Sequence, residues 1–238
     1  MSTTTPLPED SRVSAPSSHD ISALIAAHFE PDDIVEFRAI WPDRSEGRKP
    51  RQIWRFALEV ATPEVCEWIR TSNEEGFGVY FGVNPRRGVG GAKAEDVALA
   101  RAQFVDFDGD ATVEEADRRI AGAGLPQPSI VVESGHGVHA YWLLAEPMTD
   151  LAAWTTIQKA LIALLGSDKS IHDAPRVMRL PGTVNTKPPV APCRMVRIEA
   201  GLKFRPSDFS TPPPVQPPAA PPRASMPRNP GADPAEAE

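Results

Sequence analysis

The sequence predicts an α+β fold, on three observations. Strand-like and helical stretches are mixed along residues 20–199. Two β-rich runs, SIVVE (129–133) and VHAYWLL (138–144), are joined only by SGHG, a tight loop that suits an antiparallel hairpin and not a helical crossover. The Ser-, Thr- and Pro-rich start and the proline-rich end, which has almost no large apolar residues, leave the packed core to the residues between them.

Taken in order, DISALIAAHF (20–29) has helical spacing, and DIVEFRAIW (33–41) and QIWRFALEVA (52–61) are rich in β-branched and aromatic residues, as strands are. TPEVCEWIRTSNEE (62–75) begins with Thr62 as a cap and Pro63 at the first helical position. FGVYFGV (77–83) is a strand bounded by glycines, EDVALARA (95–102) a short helix, and AQFVDFDGD (102–110) a strand running into a turn. TVEEADRRIAGAG (112–124) is a helix capped by Thr112, with Glu115 three positions on and glycine at its end. The SGHG hairpin follows, then the amphipathic helix LAAWTTIQKALIALLG (151–166) and a last strand, RMVRIE (194–199). Residues 1–18, rich in Ser, Thr and Pro, are expected to be a disordered tail, residues 19–205 the folded domain, and the proline-rich residues 206–238 a linker or tail.

Composition narrows the function. A hydrophobic share of 41% and a charged share of 24% suit a globular enzyme. The two cysteines, Cys66 and Cys193, form no CxxC pair, which speaks against a zinc knuckle. No apolar run spans a bilayer and the N-terminus lacks a signal-peptide pattern, so a cytoplasmic protein without a membrane partner is expected. The net charge of -7 argues against a general nucleic-acid coat protein, not against an enzyme that holds nucleic acid in one groove. From Arg176 to Arg205 seven basic residues face the single acid Glu199, a candidate phosphate-facing stretch or a solvated basic edge.

Three segments carry chemistry. In FVDFDGD, alternation along a strand sends Val105 and Phe107 into a core and sets Asp106 and Asp108 side by side on the other face. Paired carboxylates repel unless a cation sits between them, and a hard divalent ion suits oxygen ligands. Asp110 reads as a turn residue. In ESGHGVHAYW, Val138, Ala140, Trp142 and Leu144 form one apolar face, and His139 and Tyr141 the other. His139 is either a phosphate or metal-site contact or a satisfied core histidine, and His136 is a turn residue. In IHDAPRVMRLPGTVNTK, Asp173 precedes Arg176, Arg179, Asn185 and Lys187, with Pro and Gly shaping the turns. Acid next to basic groups of this kind suits triphosphate binding.

The order DFD, SGHGVHAYW and D-x-x-R-x-M-R-L-P-G-T-x-N-x-K resembles the three motifs of the archaeo-eukaryotic primase (AEP) superfamily, and within it the RepB-like primase–polymerases of plasmids, phages and mobile elements. The resemblance covers residues 75–200. It implies an RRM-like antiparallel catalytic sheet with an N-terminal α/β module drawn from residues 20–100. It further implies Mg2+ or Mn2+ held by Asp106, Asp108 and Asp173, with these acids and His139 forming the catalytic set. His139, Ser134, Arg176, Arg179 and Lys187 would bind nucleotide, and Asn84, Arg86, Arg87 and Asn185 the template. The substrates would be (d)NTPs and a single-stranded or primed DNA template, and a helicase or other replication protein is an expected partner of the proline-rich tail.

Two other functions fit parts of the pattern. A nicking nuclease of the replication-initiator type would want a tyrosine near a His-hydrophobic-His pair, but this chain has only Tyr80 and Tyr141, and its close histidines are spaced His-Gly-Val-His. A degenerate, DNA-binding, helicase-recruiting module would not need the acids and the histidine that are present.

Overall fold

The computed structural model describes residues 17–109 and 111–209. Asp110, most of the expected N-terminal tail and the chain from residue 210 onward lie outside the described residues. Helix α1 (Ser18–His28) starts at Ser17, whose hydroxyl accepts the Asp20 N–H, and buries Ile21, Leu24, Ile25 and His28. Ser17 and Ser18, expected in the tail, thus open the domain.

Strands β1 (Ile34–Ile40), β2 (Arg51–Phe56) and β3 (Gly78–Gly82) pair antiparallel, with helix α2 (Pro63–Glu74) between β2 and β3. Thr62 makes no side-chain cap on α2; Pro63 alone marks the start. The helix expected at 95–102 is a single 3-10 turn at Ala94–Asp96. The Asp96 carboxylate takes the N–H groups of Ala92 and Lys93, both at 2.9 Å, and so closes a tight turn instead of opening a helix. Strand β4 (Ala100–Asp108) follows, then helix α3 (Val113–Gly122), where the Thr112 hydroxyl accepts the Glu115 N–H.

Strands β5 (Ile130–Glu133) and β6 (Gly137–Met148) form the expected hairpin, and β4 lies on the other side of β6. Helix α4 (Leu151–Leu165) leads into β7 (Val177–Arg179), β8 (Thr183–Asn185) and β9 (Ala191–Ile198). The strands form two antiparallel sheets, ordered β2-β1-β3-β7 and β4-β6-β5-β9-β8. The first sheet is not built from residues 20–100 alone. Its edge, β7, comes from the third motif, so the two modules interlock.

Tyr141, on the His139 side of β6, is fully buried, because α1 and β3 cover that face: its ring lies 5.9 Å from His28 and 6.2 Å from Phe81. Along β4 the same face runs from buried Phe104 through half-buried Asp106 to exposed Asp108. The acids emerge where this cover ends. Glycine is required at two close approaches. A Cβ on Gly137 would lie 2.2 Å from the Phe107 carbonyl, and one on Gly182 (φ +82°) 2.3 Å from the Ser17 carbonyl.

Residues 206–209, placed in the tail by composition, form a short 3-10 turn whose last residue, Phe209, is 9% exposed and meets the Trp142 ring edge-on at 6.2 Å. Composition misses this anchor because one aromatic ring suffices to dock the segment. Phe209→Ala is expected to cost about 3 kcal/mol, a Tm loss of roughly 6–12 °C for a domain of this size. Ending the chain directly after Phe209 should leave Tm within about 2 °C of the intact chain. Thermal melts of the two variants check both statements.

Candidate functional site

Strand pairing builds the site. Asp106 lies directly opposite His139 in the β4–β6 register, and Asp108 opposite Gly137. Directly opposed residues point to the same face, so the histidine and the two acids share one surface. His139 Nε2 is 3.6 Å from Asp106 Oδ1, and the Tyr141 hydroxyl is 3.3 Å from His139 Nδ1.

The third acid is Asp168, not Asp173. Carboxylate oxygens of Asp106, Asp108 and Asp168 all lie within 4.8 Å of one another. Asp168 follows the left-handed C-cap Gly166 of α4, and its N–H donates to the Asp106 carbonyl at 3.0 Å, which sets it beside β4. Asp173 is turned elsewhere: its Oδ1 accepts the Arg176 guanidinium, from Nε at 2.8 Å, and the Arg176 N–H bonds its carbonyl. The expected set of Asp106, Asp108 and Asp173 is therefore not brought together: Asp173 lies outside the cluster and orients Arg176. The only sequence signal for Asp168 is an acid two residues beyond a helix-ending glycine.

The basic and polar residues divide. Arg179 is buried on β7, donates to the Tyr80 hydroxyl at 2.8 Å and stacks on the Tyr80 ring. Lys187 is exposed, and its positive charge, like those of Arg176 and Arg179, acts on Asp106. Ser134 is buried in the hairpin turn, its carbonyl held by Asn185 Nδ2 at 2.9 Å. Asn185 is itself buried and takes the Lys187 N–H on its other amide atom, so it shapes a turn and is not presented to a template.

Asn84 and Arg86, expected at the template, are likewise buried. Asn84 is buried and donates to the Ala174 carbonyl at 3.0 Å. Arg86 forms a fully buried pair with Glu36, Nη2 to Oε2 at 2.7 Å, and its Nη2 also bonds the Pro175 carbonyl at 2.8 Å. The sequence cannot show that β1 supplies a buried acid to this arginine. Arg87 remains exposed, with its Nε on the Glu95 carbonyl. The basic stretch 176–205 is also no single face: Arg194 pairs with Glu133 and Arg197 with Asp117.

Burial governs the electrostatics. It pushes the Asp106 carboxyl up to about 7, with the Asp168 charge adding to the effect and Arg179, Lys187 and Arg176 opposing it. Burial, then Asp106 and Asp168, also raises Asp108. Burial, then Arg179, pushes His139 down to about 3 despite the nearby Asp108. Burial thus favours a neutral imidazole at the contact of His139 with Asp106. Tyr141 is held well above its ordinary range by burial and stays protonated. Two buried polar atoms here lack a hydrogen-bond partner, Asp106 Oδ1 and Arg179 Nη1. An orphaned anionic acceptor in a three-carboxylate cluster fits a divalent cation, and an orphaned cationic donor fits an anion.

No protein-family model matches the chain. A curated replication protein from Clostridium perfringens is 26% identical over 106 residues, which is 40% of this chain and only 26% of that protein's length. The AEP domain of the Cyanophage S-2L primase-polymerase superposes with a TM-score of 0.67 at 25% identity, covering 82% of this chain and 97% of that one. The catalytic domain of primase RepB', solved in complex with initiator DNA, superposes with a TM-score of 0.60 at 17% identity, covering 81% of this chain and 90% of that one. By fold and motif order the chain is similar to proteins of the archaeo-eukaryotic primase superfamily. Within it, the solved structures it resembles are a phage primase-polymerase domain and a RepB' primase catalytic domain. Among the described residues no helix is long and apolar enough to cross a membrane.

The raised Asp106 pKa has a direct consequence for metal-free protein. An acid whose folded pKa exceeds its unfolded value stabilises the fold at low pH and loses that contribution as pH rises from about 4 to about 7. Without metal, Tm should therefore fall across that window. Asp106→Asn should flatten the fall and raise Tm by several degrees at pH 8, as thermal melts in chelator across pH 4–8 will show. Equal pH slopes in both proteins would contradict the burial argument.

Proposed function

We propose that this chain is a primase–polymerase that transfers a nucleotide from a (d)NTP to a 3′-hydroxyl on a DNA template during replication of a plasmid, phage or mobile element. The observation that carries this reading is the coincidence of the Asp106–Asp108–Asp168 cluster, His139 in register with it, and the unpartnered Nη1 of Arg179, whose charge acts on Asp106. DNA as the partner is supported by the initiator DNA named with the RepB' catalytic domain.

The residues divide the work by charge. Asp106, Asp108 and Asp168 would hold Mg2+ or Mn2+, an all-oxygen set suited to either. When bound, the metal supplies charge neutralisation for the triphosphate and activation of the attacking hydroxyl. His139 acts as a neutral donor. Its Nε2 faces a carboxylate, which favours the Nε2–H tautomer, and the protonated Tyr141 hydroxyl donates to Nδ1 and holds the ring. That N–H is available to a phosphate oxygen. Arg179 offers Nη1 to the same ligand, and Tyr80 fixes its other arm. Arg176, steered by Asp173, and exposed Lys187 add positive charge at the rim. No covalent enzyme intermediate is needed, and catalysis is positioning plus charge stabilisation. The exposed Arg87 stays a candidate template contact, and a replication protein such as a helicase a candidate partner of the segment beyond residue 209.

The test is extension of a labelled primer on a DNA template with dNTPs, then NTPs, in Mn2+ and in Mg2+. Alanine at Asp106, Asp108 or Asp168 is expected to lower the rate at least a hundredfold with the fold intact. His139→Ala should lower kcat/KM about ten- to a hundredfold, the value of a charge-assisted hydrogen bond of about 1.5–3 kcal/mol, without weakening DNA affinity. Asp173→Ala should lose less than Asp168→Ala. Template cleavage without extension, or DNA binding without either, would overturn the proposal.

A further inference from the structure

β4 is the edge of its sheet, and alternate residues on it turn their peptide groups away from β6. Unpaired peptide groups on a buried edge are costly. Three successive outward-facing residues are met from α4 and the loop behind it. The Trp154 indole donates to the Ala102 carbonyl at 2.8 Å. The Gln158 side-chain amide takes both groups of Phe104, accepting its N–H at 3.2 Å and donating to its carbonyl at 2.6 Å. The Asp168 N–H then donates to the Asp106 carbonyl at 3.0 Å. One glutamine thus takes the place of a neighbouring strand, one rung before the metal-site rung.

The same amide reaches further. Gln158 Nε2 also donates to the Ile171 carbonyl at 3.2 Å, on the far side of Asp168. The loop 167–171 is therefore held at both ends: at its start by the Ser167 N–H on the Ile162 carbonyl, and at its finish by Gln158. Within it, the Ser170 N–H and hydroxyl donate to the two Asp168 carboxylate oxygens at 2.8 and 2.7 Å, which sets the rotation of the carboxylate. Gln158 is wholly buried, so no water competes for these bonds.

We propose that Gln158 is a positioning residue for the acidic cluster. It touches neither metal nor nucleotide, and it ties the strand carrying Asp106 and Asp108 to the loop carrying Asp168, so that the three carboxylates converge. The inference rests on the metal-binding reading above. Groups that orient metal ligands commonly contribute a factor of about 10–100 to metal affinity.

The experiment measures Mn2+ binding to the intact chain by isothermal titration, alongside Tm and primer extension. Gln158→Met, of similar length and without hydrogen-bonding groups, is expected to raise the Mn2+ Kd about tenfold. The Mn2+ concentration for half-maximal extension should rise by the same factor, while kcat at saturating Mn2+ and the affinity for primed DNA stay within about twofold. Gln158→Leu serves if the methionine variant does not fold. Trp154→Phe removes the neighbouring rung at Ala102 and is the control: it should lower Tm and leave the Mn2+ Kd unchanged. Gln158 variants with a wild-type Kd, while Asp168→Asn loses binding, would overturn the positioning role and leave the proposed function standing. A Trp154→Phe Kd shifted as far as that of Gln158→Met would reduce the role to general stability and also overturn it. Wild-type protein that binds no Mn2+ would overturn the reading beneath both.

Discussion

Strand β4 is the constraint on which the rest of the molecule depends. One face must enter the core through Val105 and Phe107, and the other must deliver Asp106 and Asp108 to a surface. Pairing with β6 in the observed register meets both demands, and a slip of one residue would exchange the faces. That register also sets His139 opposite Asp106. Gly137 permits it, since a side chain there would strike the β4 backbone at Phe107.

The N-terminal sheet supports the site without supplying its acids. Glu36 on β1 and Arg86 form a pair with no exposed side-chain surface, and Arg38 and Gln52 complete the acid's hydrogen bonds. Such a pair adds little net stability compared with apolar residues, but breaking one half of it is costly. Here it holds the third motif: Arg86 reaches the Pro175 carbonyl, Asn84 the Ala174 carbonyl, and the Val83 N–H the Arg176 carbonyl. From there the chain enters β7, which places Arg179 beside Tyr80 and toward the acids. The loop GVNPRRG is thus a brace for the segment that carries Arg176 and Arg179.

Charge at the site is balanced by neighbours, not by solvent. Three carboxylates crowd together, and burial, with the Asp168 charge adding to it, drives Asp106 toward its protonated form. Arg179, Lys187 and Arg176 oppose that drift but leave Asp106 Oδ1 without a partner. Burial also removes the charge from His139, which leaves it a donor of fixed orientation next to Tyr141.

Several features follow from the sequence by itself, because they depend on local periodicity. Strand alternation at 104–108 separated the core residues from the acids, the SGHG glycines marked the hairpin, and the α4 pattern and its terminal glycine marked that helix. Other features arise only where distant segments meet. Asp168 became the third acid because its peptide N–H docks on the β4 edge, a contact that no spacing encodes. Arg86 and Asn84 were removed from the surface by Glu36 and Ala174, which lie 50 and 90 residues away in the chain. Phe209 joined the core because a single ring found Trp142. Residue type and period determine which chemistry is available, and long-range packing decides which copies of it come together, since burial and partner choice are properties of the folded whole.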